Sequence, residues 1–253
     1  MEPPEVTLEN SDAVYDYYRD HRQNLVKAKL AYWLLGRRFQ PRVGYAVGAR
    51  KELRDFISAG RPLVISINHL SEKDPYTVSA AAWRSPLRPV IGHTRVLAKH
   101  EVFADAKMRG TLDMMGGMPV FRSKDHESYS VNAASERLID TCAMVLTRGD
   151  SIALFPEGTC NYVDHTRVLE LGGGIGHFVC RARERGADPV LVSLGLSYGP
   201  RPDPAAELSK ADVRSASFYF GRPVGELPAL PADITDLARE ELQAALDGAV
   251  AAY

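Results

Sequence analysis

The feature that most restricts this chain is a series of short apolar, β-branched runs that do not alternate polar with apolar. They are "LVISIN" (63–68), "RPVIG" (88–92), "MPVF" (118–121), "SIALF" (151–155), "PVLVSLGL" (189–196) and "ASFYF" (216–220). A strand wetted on one face alternates; runs like these belong to strands covered on both faces. Helical stretches lie between several of them, at 127–148 and 175–186. A further helix spans about 233–252, and residues 12–39 also read as helical. Strand–helix alternation predicts an α/β fold: a mixed, largely parallel sheet flanked by helices on both faces, with an N-terminal helical segment. Prolines cluster at 200–204 and 223–231, yet "SFYFGRPV" still reads as strand, so they do not divide the chain. The expected organisation is an N-terminal helical segment over 1–40 and one domain over 41–253, long enough for a full hydrophobic core.

Composition narrows the class. Hydrophobic residues make up 45% and charged residues 25%, the balance of a globular protein rather than a disordered one. The formal net charge of −1 supplies no overall field to steer the chain to nucleic acid, so any anion site must be local. The three cysteines, Cys142, Cys160 and Cys180, are far apart and form no CxxC, which points to a reducing compartment. "MEPPEVTLENSD" lacks the charged-then-apolar order of a signal peptide. The longest charge-free run, Pro189 to Pro200, falls well short of the ~20 apolar residues of a membrane span.

Within the first helical stretch, "NLVKAKLAYWLLGRRF" is apolar on most sides and carries Lys27, Lys29, Arg37 and Arg38. A helix apolar nearly all round is buried. The other reading is a segment lying on a membrane, with Tyr32 and Trp33 at headgroup level and its cations beside anionic lipid.

The richest short stretch is "SINHLSEKDPYT", where His69 and Asp74 stand five positions apart. On one regular helix such positions point about 140° away from each other, so they cannot share a face. They can meet if His69 sits in the turn after a strand and Asp74 opens the next helix. Pro75 suits the first helical position and makes Asp74 a good cap; alternatively Ser71 caps and Asp74 closes a capping box. Either cap is a purely structural role for Asp74. The functional role is to accept a hydrogen bond from one imidazole nitrogen, leaving the other as a general base.

Three further stretches follow in order: "VLAKHEVF" (96–103), "GGMPVFR" (116–122) and "ALFPEGT" (153–159), with "FGRPV" (220–224) late in the chain. With "NH" at 68–69 this set resembles the glycerolipid acyltransferase family, whose members acylate lysophosphatidic acid and glycerol 3-phosphate. The resemblance runs from about residue 43 to 224. The family's H-x-x-x-x-D block matches His69 and Asp74, and its G-x-x-x-x-x-R block matches Gly116 to Arg122. Its F-P-E-G-T block matches Phe155 to Thr159, and the lysine of its A-K-x-E-[LF] stretch matches Lys99.

The resemblance implies transfer of a fatty acyl group from a thioester, acyl-CoA or acyl carrier protein, to a hydroxyl, with no other cofactor and no metal. By analogy His69 takes the acceptor's proton and Asp74 orients it. A thioester needs only an activated alcohol and a place for the oxyanion. Arg122 and Lys99 would hold an acceptor phosphate, while Gly116, Glu157, Gly158 and Thr159 would shape the acceptor site. A lysophospholipid such as 1-acylglycerol 3-phosphate is the implied acceptor, and the cytoplasmic, inner face of a membrane the implied location. On this resemblance the His69–Asp74 pair is read as catalytic, with Asp74 also free to cap its helix.

The chain departs from the family twice. Where an arginine commonly follows F-P-E-G-T, this chain has Cys160, then Asn161 and Tyr162. A neutral residue cannot replace a bidentate phosphate fork, so an acceptor without phosphate (a glycolipid, an aminolipid or a secondary metabolite) is the second reading. Cys160 itself is read as a small loop residue rather than a nucleophile. The second departure is "VLELGGGIGHF" (168–178), where Glu170 to Gly176 reproduces the E-x-G-x-G-x-G of methyltransferases that bind S-adenosylmethionine. That motif should open a fold near its first strand, whereas this one lies two-thirds of the way along. "GLSYGP" also lacks the acidic residue that would hold a ribose. A glycine-rich turn that lets backbone pass close to a neighbour accounts for it better. A binding protein on an inactive acyltransferase fold would have lost His69 or Asp74, and both are present. No H-E-x-x-H occurs, which removes zinc peptidase chemistry.

Overall fold

The computed structural model describes residues 3–122, 128–201 and 203–253. Among these, the strands are β1 (Arg42–Tyr45), β2 (Leu63–Ile67), β3 (Thr94–Lys99), β4 (Gly117–Val120), β5 (Ser151–Leu154), β6 (Val190–Ser197) and β7 (Ser217–Phe220). They form one sheet in the order β1-β7-β6-β2-β5-β3-β4. Strands β2 to β6 are parallel, β7 pairs antiparallel with β6, and β1 runs parallel to β7. The sheet is mixed and largely parallel, as the apolar runs predict.

Every residue of β2 is buried, and successive side chains enter opposite cores. Val64 joins Ile152, Leu154 and Leu191 on one face, under α1 (Ser11–Asp20), α6 (Ser128–Thr147), α7 (Gly174–Glu184) and α9 (Pro231–Ala251). Leu63, Ile65 and Ile67 join Val190, Val192 and Leu194 on the other, under α2 (Leu25–Arg38), α3 (Ala49–Ser58) and α4 (Asp74–Trp83). The remaining helices are α5 (Ala106–Met115) and the short α8 (Lys210–Arg214).

The elements depart from the sequence expectations in four places. The run at 88–92 is a single 3₁₀ turn, Arg88–Val90, and the strand is the next segment, Thr94–Lys99. Pro89 has no N–H to give a ladder, and Gly92 takes a left-handed φ of 89° that ends the run. The stretch 12–39 is two helices: His21 is extended, and Asn24 starts the second by accepting the Lys27 N–H at 3.0 Å. Strand β1 and helix α3 carry no apolar run of their own and were not anticipated. The helix expected over 127–148 is observed as Ser128–Thr147, residue 127 lying outside the described residues, as does Pro202 of the 200–204 cluster.

The N-terminal helices are part of the core. Val14 and Tyr18 of α1 pack with Ile152 and Leu242, and Ala28 and Tyr32 of α2 pack on the other face with Ile65 and Ala81.

Candidate active site

The register brings Ile65, Ala153, Val96 and Gly117 level across β2, β5, β3 and β4. The four strands therefore end together. The turn holding His69, the turn from Phe155 to Cys160, Lys99 at the end of β3, and Arg122 just past β4 all open from one edge of the sheet. Open α/β sheets bind ligands at that carboxyl edge. Gly116 precedes β4 and lies on the far side of this level. It ends α5 with a left-handed φ of 89°, and a Cβ there would meet the Thr94 carbonyl oxygen at 2.3 Å. Its role is a backbone one away from the other candidates.

His69 and Asp74 meet. Imidazole Nδ1 is 2.9 Å from Asp74 Oδ2, and the carboxylate is fully buried. Asp74 Oδ2 also accepts the N–H groups of Leu70 (2.6 Å) and Ser71 (2.9 Å), and Oδ1 accepts the Tyr198 hydroxyl at 2.8 Å. A carboxylate out of water is stable only when so saturated. Of the two caps considered, the capping box is half present: Ser71 N–H reaches Asp74, while Ser71 Oγ accepts the Lys73 N–H at 3.2 Å. Asp74 cannot donate, so Nδ1 carries the hydrogen in either charge state, and Nε2 is an acceptor only when the ring is neutral.

Nε2 faces Cys160, whose Sγ is 3.3 Å away. Three contacts hold that pair. Phe155 stacks on the imidazole with centroids 4.1 Å apart, the Asn161 N–H donates to the His69 carbonyl at 2.7 Å, and the fully buried Asn161 side chain ties its loop to Asp164 and Arg167. Cys160 is thus no incidental loop residue, as the sequence alone suggested; it touches the ring at the atom a base uses. Burial opposes a positive charge on His69, but the Asp74 hydrogen bond and charge, with Cys160 beside Nε2, outweigh it and raise the imidazole to about 9. Hydrogen bonding to Cys160, then burial, pushes the Tyr162 phenol up to about 12.

A family model described as Acyltransferase matches residues 48–197, more than half of the chain, and its span contains His69, Asp74, Lys99, Arg122 and Glu157. The chain belongs to the glycerolipid acyltransferase family. It is an acyltransferase enzyme. Comparison with curated proteins finds no match.

The other motif residues of this acyltransferase have unequal parts. Glu157, read from sequence as shaping the acceptor site, is a buried staple. Oε1 accepts the His69 N–H at 2.7 Å and Oε2 the Leu169 N–H at 2.9 Å, fastening the histidine turn to the loop before α7. Burial raises its carboxyl above the ordinary carboxylate range, and these two N–H groups offset only part of that rise. Gly158 and Thr159 are exposed at the tip of the turn, with Gly158 at φ 64°. Arg122 spans from Glu101 Oε1 (3.1 Å) to the Gly158 carbonyl (3.2 Å), and Lys99 sits 3.3 Å from Glu72 in the histidine loop. Both cations therefore stand at the rim of the same site.

Two positioning residues were not singled out from sequence. Asn68 continues β2 with its side chain, accepting the Leu196 N–H at 2.7 Å and donating to the Leu196 carbonyl at 3.0 Å. Tyr198 arrives from the end of β6. The glycine-rich stretch packs α7 against α9: a Cβ on Gly176 would lie 1.9 Å from the Pro231 carbonyl oxygen. With the acyltransferase family established, this contact replaces the methyltransferase reading. Among the described residues, no group of three or more His, Cys, Asp or Glu is placed to hold a metal ion.

Proposed function

We propose that this acyltransferase moves a fatty acyl group from an acyl thioester, acyl-CoA or acyl carrier protein, to a hydroxyl of a lysophospholipid such as 1-acylglycerol 3-phosphate. The observation that carries the reading is the His69–Asp74 contact of 2.9 Å on a fully buried, four-times-bonded carboxylate. A base held this way contributes roughly 10²–10⁴ in rate. Arg122 and Lys99 are the candidates for the acceptor phosphate. The Lys99–Glu72 pair is exposed and worth little, so a phosphate can take the lysine over.

The second reading is an acceptor without phosphate. It is favoured by Cys160 standing where the family commonly has arginine, and by Glu101 and Glu72 already beside the two rim cations. A transfer assay read by mass spectrometry separates the two. Acyl-CoA and acyl carrier protein would be offered with lysophosphatidic acid, glycerol 3-phosphate and a panel of lysolipids, sugars and amines, alongside His69→Ala. Acylated lysophosphatidic acid absent from the variant supports the first reading; transfer only to neutral acceptors supports the second. No acylation of any acceptor by the wild type sinks both.

The same reading places the protein on the cytoplasmic face of a membrane. Among the described residues no helix is long and apolar enough to cross one. The support for surface binding is α2, whose Val26, Leu30, Trp33 and Leu34 are exposed on one face between Lys27, Lys29, Arg37 and Arg38.

A further inference from the structure

We infer that a cleft against the edge strand β1 is a second anion site, which holds the phosphate of an anionic phospholipid at the membrane surface. The inference deepens the proposed membrane contact of α2. The cleft has a volume of about 380 Å³ and is lined by Arg42, Val43, Tyr45, Arg50 and Arg84, with Gln40 and Pro41 at the end of α2; no acidic residue lines it. Arg42 is tied to the carbonyl oxygens of Tyr253 (3.0 Å) and Ser215 (3.5 Å) and frames one wall. Tyr45 is held by stacking on Phe220, with centroids 5.2 Å apart, and its hydroxyl has no hydrogen-bond partner among the described residues. The Arg50 guanidinium lies over the Tyr45 ring at 5.5 Å. Burial raises the Tyr45 phenol, and the charges of Arg50 and Arg54 oppose that rise, so both cations face it.

The charge here is segregated. Elsewhere on the surface arginines pair with carboxylates, as Arg61 does with Asp188, Arg148 with Asp20 and Arg222 with Glu52. Among the described residues, no arginine from Arg37 to Arg54, nor Arg84 or Arg88, pairs with an acidic side chain. Arg37, Arg38 and Arg88 instead lie over Trp33, Phe39 and Trp83. In a chain of net charge −1 this is a local, uncompensated positive field. Guanidinium forks with a free phenol beside them suit the several acceptor oxygens of a phosphate.

Helix α2 joins the cleft to the lipid. Val26, Leu30, Trp33 and Leu34 are exposed at spacings that share one helix face, and Arg37, four past Trp33, continues it. The apolar stripe therefore runs into Arg37 and Arg38 and then, through Gln40 and Pro41, into the cleft. Acyl chains against the stripe would set their phosphates at the level of these cations. The cleft is separate from the rim of the active site. β1 and β4 are the two outer strands of the seven, so six spacings of about 4.8 Å put Arg122 on the order of 30 Å away.

The test uses the full chain and three probes. They are dioctanoyl-phosphatidylglycerol below its micelle concentration, inorganic phosphate or CoA as a soluble phosphate, and vesicles of phosphatidylcholine with or without one-third phosphatidylglycerol. Nuclear magnetic resonance should show saturable shifts at Val43 and Tyr45 with the short-chain lipid, and Arg50→Gln with Arg84→Gln should abolish them. Both arginines are exposed and unpaired, so this double variant should fold as the wild type does. Its preference for anionic over neutral vesicles should fall about 25-fold, roughly fivefold for each arginine. Arg183→Gln with Arg239→Gln removes the same charge from α7 and α9, on the opposite face of the sheet, and should change neither readout. Equal losses in the two double variants would make the effect one of overall charge and overturn the site. Saturation by inorganic phosphate or CoA at lower concentration than by the lipid would overturn the lipid as occupant. Vesicle binding without anionic preference, and without shifts at Val43 or Tyr45, overturns the cleft and leaves the contact of α2 standing. Saturable shifts from the short-chain lipid in a chain that binds no vesicle support the cleft and remove the contact of α2.

Discussion

Tyr198, at the end of β6, gives its hydroxyl to Asp74 Oδ1 at 2.8 Å, the carboxylate oxygen that His69 does not use. The phenol is buried, and its other partner is Thr77 Oγ1 at 3.1 Å, inside the helix that Asp74 opens. Removing the hydroxyl leaves a buried carboxylate oxygen without a donor. Tyr198→Phe should cost about 1.5–3 kcal/mol, the range for a hydrogen bond to a charged group. Urea denaturation would measure that loss. Because Tyr198 acts through Asp74, kcat should fall while KM for the donor stays within about twofold. An unchanged kcat would show that His69 is oriented without it.

The raised imidazole makes a prediction about pH. Burial works against the charged ring, and the Asp74 contact and the Cys160 contact more than offset it, giving about 9 against an ordinary value near ~6.5. A group raised on folding contributes stability that is complete below its unfolded value and is lost as pH rises through its folded value. Thermal stability should therefore decline between about 6.5 and about 9, and His69→Gln should flatten that decline. Nuclear magnetic resonance titration of His69 should show a midpoint near 9 in the wild type and a lower one in Cys160→Ala. A midpoint unmoved by that change would remove Cys160 from the electrostatics of the ring.

Glu157 fastens the site through backbone. Glu157→Gln keeps one carbonyl oxygen as acceptor but turns an amide N–H₂ toward the N–H of either His69 or Leu169. One of two buried bonds is lost and a donor faces a donor, costing about 1–3 kcal/mol. The expected result is lower stability together with lower kcat, because the turn that carries His69 loosens. Full stability with an altered acceptor preference would instead make Glu157 a substrate contact.

Much of this site was legible because its parts lie close along the chain. His69 and Asp74 are five residues apart, and the strand before them is announced by its β-branched run. The cap was only partly legible: Pro75 suggested Asp74 as the N-cap, but Lys73 holds that position and Asp74 is the first helical residue, and of the capping box with Ser71 only the Ser71 N–H bond to Asp74 forms. What was not legible depends on chain separation. Nothing local to "GLSYGP" marks Tyr198 as a partner for Asp74, 124 residues earlier in the chain. Cys160 looked like an exchange of one loop residue for another, and only the Asn161 bond to the His69 carbonyl shows where its sulfur points. Strand β3 was placed one segment early because "RPVIG" is apolar enough, and a proline and a left-handed glycine overrode that signal.

Gly176 tests the reading of the glycine-rich turn. A methyl group at this position would lie 1.9 Å from the Pro231 carbonyl oxygen, so α7 and α9 would have to separate. Overpacking of this kind costs about 1–3 kcal/mol or more. Gly176→Ala should lower the unfolding midpoint in urea, while Gly173→Ala, whose nearest neighbour is 3.9 Å away, should not. Equal tolerance at both positions would remove the packing account.

The membrane surface is best tested by point changes in α2. Deleting the first 40 residues would also remove Val14 and Tyr18 from the core, so lost vesicle binding after truncation would be ambiguous. Val26 is 77% exposed, Leu30 52% and Leu34 53%, so replacing all three with serine should leave thermal stability nearly unchanged. Their apolar area is available to an acyl layer instead. Co-sedimentation with vesicles containing anionic lipid should drop at least tenfold in the triple variant. It should also weaken as salt rises, because Lys27, Lys29, Arg37 and Arg38 flank the face. Unchanged co-sedimentation would take the membrane contact away from α2. A triple variant that lost binding and stability together would show that this face packs on protein instead.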